Sequence, residues 1–141
     1  MAVHTTADKM TIERGGFPSV GPKLGLIQAE VDISTLLTTD DYADVFAIPA
    51  GTLVLSAGIE IVTPSTAAAT VDLGSTVGGN EFAAALACNG AAGTKLSGGQ
   101  AKQNVVCSAA STMYASLEAA ELGTPGVIRV WAIVADIRDM V

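Results

Sequence analysis

The chain has 141 residues, half of them apolar but only 4% aromatic, and its formal net charge is −7 at pH 7. This length is that of one domain, whose single core has to be built mainly from Ala, Val, Ile and Leu. The negative charge repels phosphate backbones and anionic membrane surfaces, so we expect neither nucleic acid nor a membrane as a partner.

The first 25 residues show no sustained periodicity, and the segment GGFPSVGP combines three glycines with two prolines. Such a segment disfavours helix and strand. We therefore predict an extended N-terminal arm over residues 1–25 and a β-sandwich domain over residues 26–141. The spaced apolar residues of the arm favour docking on another surface, of its own subunit, a sister subunit or a larger assembly, over a solvated tail. The residues expected to make this contact are Ile12, Arg14, Phe17, Pro18, Val20, Pro22 and Leu24.

Alternating apolar and polar residues predict a strand over Leu26–Ser34 whose polar face meets water. A short strand is predicted over Tyr42–Ile48. A turn containing proline and glycine then leads into a long strand, Leu53–Thr63, whose odd-numbered apolar residues are expected to face the core. We expect Pro64–Thr66 to close a hairpin with a return strand that ends at Gly74.

The segment between residues 75 and 104 is rich in glycine loops, and its apolar run Glu81–Cys88 fits a short strand or one helical turn equally well. Order returns at Val105–Cys107, and Thr112–Ala119 alternates as a strand with one exposed face. The last segment, Gly126–Arg138, is apolar on both faces, which is typical of a central strand or one covered at a subunit contact. Trp131 in this strand is expected to pack in the core.

Several short strands separated by Gly, Pro and Ser turns, without long amphipathic helices, predict an all-β fold. We expect an antiparallel β-sandwich or jelly roll that carries the N-terminal arm. A small open barrel is the alternative.

Residues that carry chemistry are few. The only histidine, His4, lies in the arm, so a Ser-His-Asp or Cys-His catalytic site is not expected. Asp40, Asp41 and Asp44 form an acidic turn that lacks the full pattern of a calcium loop. Cys88 and Cys107 have no metal-ligand spacing and are expected to be free thiols, with a disulfide as the alternative. We therefore expect no enzyme, cofactor or metal site.

The N-terminus MAVHTTADKM lacks the layout of a signal peptide, and the chain has no apolar run of the length that spans a membrane. We expect a protein made in the cytoplasm that stays there or in a particle assembled there.

Three segments, PAGTLVLSAGIEIVT, ATVDLG and TPGVIRVWAIVADIRD, resemble framework strands of small virion structural proteins of tailed bacteriophages, especially of phages that infect cyanobacteria. The resemblance covers residues 26–75 and 112–138. It implies a capsid decoration (cement) protein that binds the major capsid protein through its arm and assembles as a homotrimer on the capsid surface. A head or tail fibre, or a receptor-binding module using residues 75–104, is the alternative.

Overall fold

The computed structural model describes residues 3–11, 23–36, 41–66, 68–98, 104–119 and 126–137, with side chains from residue 24 onward. These residues form ten strands and a single 3-10 turn, Ile33–Thr35. The strands are β1 (Val3–Thr11), β2 (Lys23–Asp32), β3 (Tyr42–Ile48), β4 (Thr52–Thr63), β5 (Thr70–Gly74), β6 (Ala83–Ala87), β7 (Lys95–Ser97), β8 (Val105–Cys107), β9 (Ser111–Ala119) and β10 (Val127–Asp136).

The strands form two five-stranded sheets. Sheet A has the order β1-β3-β9-β5-β6, and sheet B has the order β2-β10-β4-β7, with β8 pairing with β4 beside β7. Every strand pair is antiparallel except β1 and β3, which are parallel. The predicted all-β sandwich is thereby confirmed, while the finer assignment to a jelly roll stays a prediction.

The two sheets enclose one core of aliphatic side chains. Strands β3, β5, β6 and β9 supply it from sheet A, and β2, β4 and β10 supply it from sheet B. Phe46 and Phe82 are the largest fully buried side chains. The core therefore has the aliphatic composition expected from the sequence. Its largest fully buried members are Phe46, Phe82, Ile48, Ile59, Ile61, Leu73, Met113, Ile128, Val31, Val45, Val54 and Val71.

The predicted hairpin between β4 and β5 is wrong. The first five strands alternate between the sheets, so β4 lies in sheet B and β5 in sheet A, and the residues between them cross from one layer to the other. Ser65 N–H donates to the Cys88 carbonyl at 3.0 Å, which ties this crossing to the end of β6. β4 already has strands on both of its edges, so no edge is left for β5.

Part of the predicted arm lies in the sheets. Val3–Thr11 forms the edge strand β1 of sheet A, and β2 begins at Lys23, before the predicted boundary at residue 26. The segment VHTTADKMT lacks sustained apolar alternation, so its sequence does not indicate a strand. Residues 12–22 lie outside the described part of the chain.

The predicted face of the long strand β4 is correct only in its second half. Ala57, Ile59 and Ile61 are buried as expected, but Val54 and not Leu53 points into the core in the first half. The cause is a β-bulge. Leu55 is skipped in the register with β10, since Ile133 pairs with Ser56 and Val134 pairs with Val54. One extra residue exchanges the inner and outer faces of the strand beyond it.

Trp131 is half-buried on the outer face of sheet B, so the predicted place in the core is wrong. It shares this outer face with Arg129 and Ile133, whereas Ile128, Val130, Ala132 and Val134 fill the inner face. The strand is central in the sheet, between β2 and β4, so one of its two apolar faces is the inner face and the other is the outer face.

Candidate interaction surface

The described residues include no group of three or more His, Cys, Asp or Glu side chains placed to hold a metal ion. Both cysteines are free and buried. Burial raises the pKa of the Cys88 thiol to about 12. The pKa of Cys107 is raised as well, mainly by burial, against a lowering effect of its hydrogen bond with Ser111. Both groups are therefore protonated near neutral pH and are poor nucleophiles.

The acidic turn is described only in part, because Asp40 lies outside the described residues. Asp41 is buried, and its carbonyl accepts a hydrogen bond from Leu117 N–H at 3.0 Å. Asp41 thus ties the start of β3 to β9. Within the described residues, no helix is long and apolar enough to cross a membrane.

The outer face of sheet B carries an apolar patch. One row crosses four strands through Leu24, Ala135, Leu53 and Val106, which are neighbours in the strand register. Leu24 and Val106 at its ends are exposed, Leu53 is half-buried and Ala135 is buried. The adjoining row contains Leu26 and Ile133. The exposed fractions are 54% for Leu24, 65% for Leu26, 52% for Val106 and 39% for Ile133. A cluster of large apolar side chains with such high exposure is typical of an interaction surface.

The other end of this face carries a row of charges. Arg129 on β10 donates from Nη1 to Glu60 Oε1 on β4 and from Nη2 to Glu30 Oε1 on β2, each at 3.0 Å. Lys95 Nζ on β7 lies 3.4 Å from Glu60 Oε2. The row alternates in sign across the sheet, which leaves it without net charge.

Trp131 lies on the same outer face, between the apolar patch and the charged row. It lies opposite Gly58 in the register, and a Cβ at Gly58 would come 2.7 Å from Trp131 Cζ2 and 2.0 Å from the Leu96 carbonyl oxygen. The indole therefore packs directly over the backbone of β4, which only glycine permits. Its Nε1 is buried without a hydrogen-bond partner among the described residues.

Over β5 and β9, the chain itself covers the outer face of sheet A. Asp72 on β5 lies opposite Ser116 on β9, and both are buried. Ser116 Oγ accepts from Gly78 N–H at 2.8 Å, and Asp72 Oδ1 accepts from Ala85 N–H at 2.7 Å. Ala85 has a φ of 52°, and it lies where β6 bulges against β5. The ambiguous run Glu81–Cys88 is thus a strand held by a carboxylate.

Of the residues predicted to contact a partner, only Leu24 lies in the described part of the chain, exposed on β2. Ile12, Arg14, Phe17, Pro18, Val20 and Pro22 lie outside it. Leu26, Val106 and Ile133 were missed. The signal for Leu26 is present in the sequence, since Leu26 is an apolar residue on the polar side of its strand. Ile133 lies on the second apolar face of β10, and Val106 gives no signal in a three-residue strand.

No family model matches the chain, and no curated protein does either. Its fold is similar to that of a chain in the cyanophage Pam1 capsid asymmetric unit, with a TM-score of 0.59 and 20% identity over 87% of this chain and 93% of that one. It is also similar to a chain in the acid-stable capsid of Helicobacter pylori bacteriophage KHP30, with a TM-score of 0.50 and 17% identity over 78% and 86% of the two chains. At these identities the likeness is one of fold.

Proposed function

We propose that the protein is a non-enzymatic structural component of a tailed-bacteriophage virion, and specifically a capsid decoration protein that binds the major capsid protein from outside. The observation that carries the proposal is the fold match to the cyanophage capsid chain, which spans most of both chains. The segments that resemble phage virion proteins in sequence form strands β4, β5 and β10 of the two sheets, which supports the same proposal.

Such a role requires contact area and no active site. The arm residues Phe17 and Val20 offer apolar anchors for the capsid, and the apolar outer face of sheet B offers exposed area for self-association. Many small interfaces, summed over a shell, stabilise the particle even where each one is weak. Self-association belongs to the same proposal. The homotrimer rests on the sequence resemblance alone and stays a prediction.

The alternative, a head or tail fibre or receptor-binding module, has weaker support. Tyr42 and Tyr114 on sheet A are half-buried and pack edge to face, with ring centroids 5.6 Å apart and planes at 82°. Two perpendicular rings do not present the flat aromatic platform on which a sugar ring stacks.

The test is the number and position of copies in purified particles, counted by quantitative mass spectrometry and located by cryo-electron microscopy. Decoration predicts hundreds of copies distributed over the head. A handful of copies at the tail would replace the proposal by the fibre alternative.

The arm is tested by Phe17→Ser combined with Val20→Ser, since deletion of residues 1–22 would also remove the edge strand β1. We expect the folded variant to bind expanded capsids more weakly than the unchanged protein. Equal binding would show that the arm is not the clamp.

A further inference from the structure

Four of the five large apolar side chains that are exposed in the described residues lie on the outer face of sheet B. We infer that this face packs against the same face of a second copy of the chain, about a two-fold axis parallel to the strands. The inference rests on the proposed self-association and names its surface and symmetry. The two-fold contact leaves every other surface free for a contact of different symmetry.

The order of charges specifies the axis. Across the sheet the charged row reads Glu30, Arg129, Glu60 and Lys95, which is minus, plus, minus, plus. A two-fold axis parallel to the strands leaves this row at the same height along the strands. It reverses the order of the four charges across the sheet in the second copy. Glu30 then faces Lys95 of the second copy, and Arg129 faces Glu60. Every charge meets its opposite.

The same rotation places the apolar row on itself. Leu24 on one edge of the sheet then faces Val106 of the second copy, and Ala135 faces Leu53. An axis across the strands would instead lay the charged row over the apolar row. That arrangement would strip water from the charges without giving them new partners, which is unfavourable.

The size of the patch predicts a weak pair. Four strands about 4.8 Å apart and rows separated by about 3.3 Å per residue give a face of roughly 14 Å by 20 Å. This is well below the roughly 800 Å² per partner that is usual in stable complexes. The charged row mainly orients the copies, and the contact becomes effective where copies are concentrated on a common surface.

The first test is sedimentation equilibrium of the full chain over increasing concentration. We expect the mean mass to rise toward twice its low-concentration value, and Leu26→Asp to abolish the rise. Val77→Asp is the matched control, since Val77 is also exposed but lies in the loop over sheet A. A wild-type mass that stays constant, a Leu26→Asp mass that rises like the wild type, or a Val77→Asp variant that no longer associates would overturn the inference.

A charge exchange tests the symmetry, with folding of each variant checked by circular dichroism. Glu30→Lys and Lys95→Glu each place like charges together at two points of the pair, and each should raise the dissociation constant about tenfold. The double variant should return to within about threefold of the wild type. Within one copy the two changes break separate ion pairs, with Arg129 and with Glu60, so only a contact between copies gives rescue. Additive losses would exclude this axis.

The outcome is independent of binding to capsids. Loss of pairing in solution with retained binding to particles would overturn this inference and leave the decoration role intact. If the protein pairs as predicted but is absent from virions, the decoration role is overturned and the inferred pairing stands.

Discussion

Sheets A and B turn similar aliphatic faces to the shared core, but what covers their outer faces differs. On sheet A, Asp72 and Ser116 bind main-chain N–H groups of the chain itself and are buried by them. On sheet B, Leu26 and Ile133 stay exposed beside a row of charges. One face is closed by polar anchors, and the other is open and apolar.

The difference shows which polar groups the fold needs for its own hydrogen bonding. A carboxylate or hydroxyl under a loop satisfies backbone donors that burial would otherwise leave unpaired. An apolar side chain on an outer face has no such use within the monomer, because water meets it from one side. We therefore attribute the open face to the pairing inferred above, whereas folding alone explains the closed part of sheet A.

Among the outer-face positions, the largest effect is expected on the closed face. Asp72→Ala should lower the free energy of unfolding by about 2–3 kcal/mol, because it leaves the N–H of Ala85 without its acceptor in a part-buried bulge. Denaturant unfolding measures this. Asp72→Asn keeps an acceptor oxygen and should cost less. A neutral effect of Asp72→Ala would mean that the anchor does not hold β6.

The next effect concerns the one closely packed point of the open face. Gly58→Ala should cost about 2 kcal/mol, because the new methyl group would overlap the Leu96 carbonyl and the Trp131 ring. The emission of Trp131, the only tryptophan, should shift in the same variant. Gly90→Ala is the control, since its nearest atom is the end of the flexible Ile61 side chain at 3.0 Å. An unchanged stability and emission of Gly58→Ala would contradict this packing.

The strands of the two sheets show which features of the fold the sequence predicts and which it does not. Strand positions are visible, because alternation is local, and Tyr42–Ile48 has the predicted bounds. The sequence does not show which strands pair with each other. The first five strands alternate between the sheets, whereas consecutive strands usually pair, so the hairpin at Pro64 was the natural and wrong choice.

The predictions that Leu53 and Trp131 face the core are wrong for a related reason. A bulge at Leu55 leaves the apolar alternation of β4 unbroken in sequence but moves Leu53 from the inner to the outer face. Trp131 was placed in the core because a large aromatic residue is normally buried there. Only the packing of the two sheets against the shared core shows that the face of β10 with Trp131 and Ile133 is the outer one.

A smaller effect is expected in the charged row that borders the open face. Glu60→Ala should lower the free energy of unfolding by about 1 kcal/mol, because Glu60 is half-buried between Arg129 and Lys95. Glu30→Ala removes a more exposed partner of Arg129 and should cost about 0.5 kcal/mol or less. High salt should reduce both differences. Equal costs would indicate that the burial of Glu60 adds nothing to its ion pairs.

The smallest effect separates an open face from a covered one. In dilute protein, Leu26→Ala should change the free energy of unfolding by at most about 0.5 kcal/mol, since the side chain is 65% exposed. Leu73→Ala, the same change at a fully buried position of β5, should cost about 2–5 kcal/mol. Thermal unfolding at low concentration measures both without the contribution of a second copy. If Leu26→Ala were as costly as Leu73→Ala, the monomer itself would cover this face, and the contrast between the two sheets would disappear.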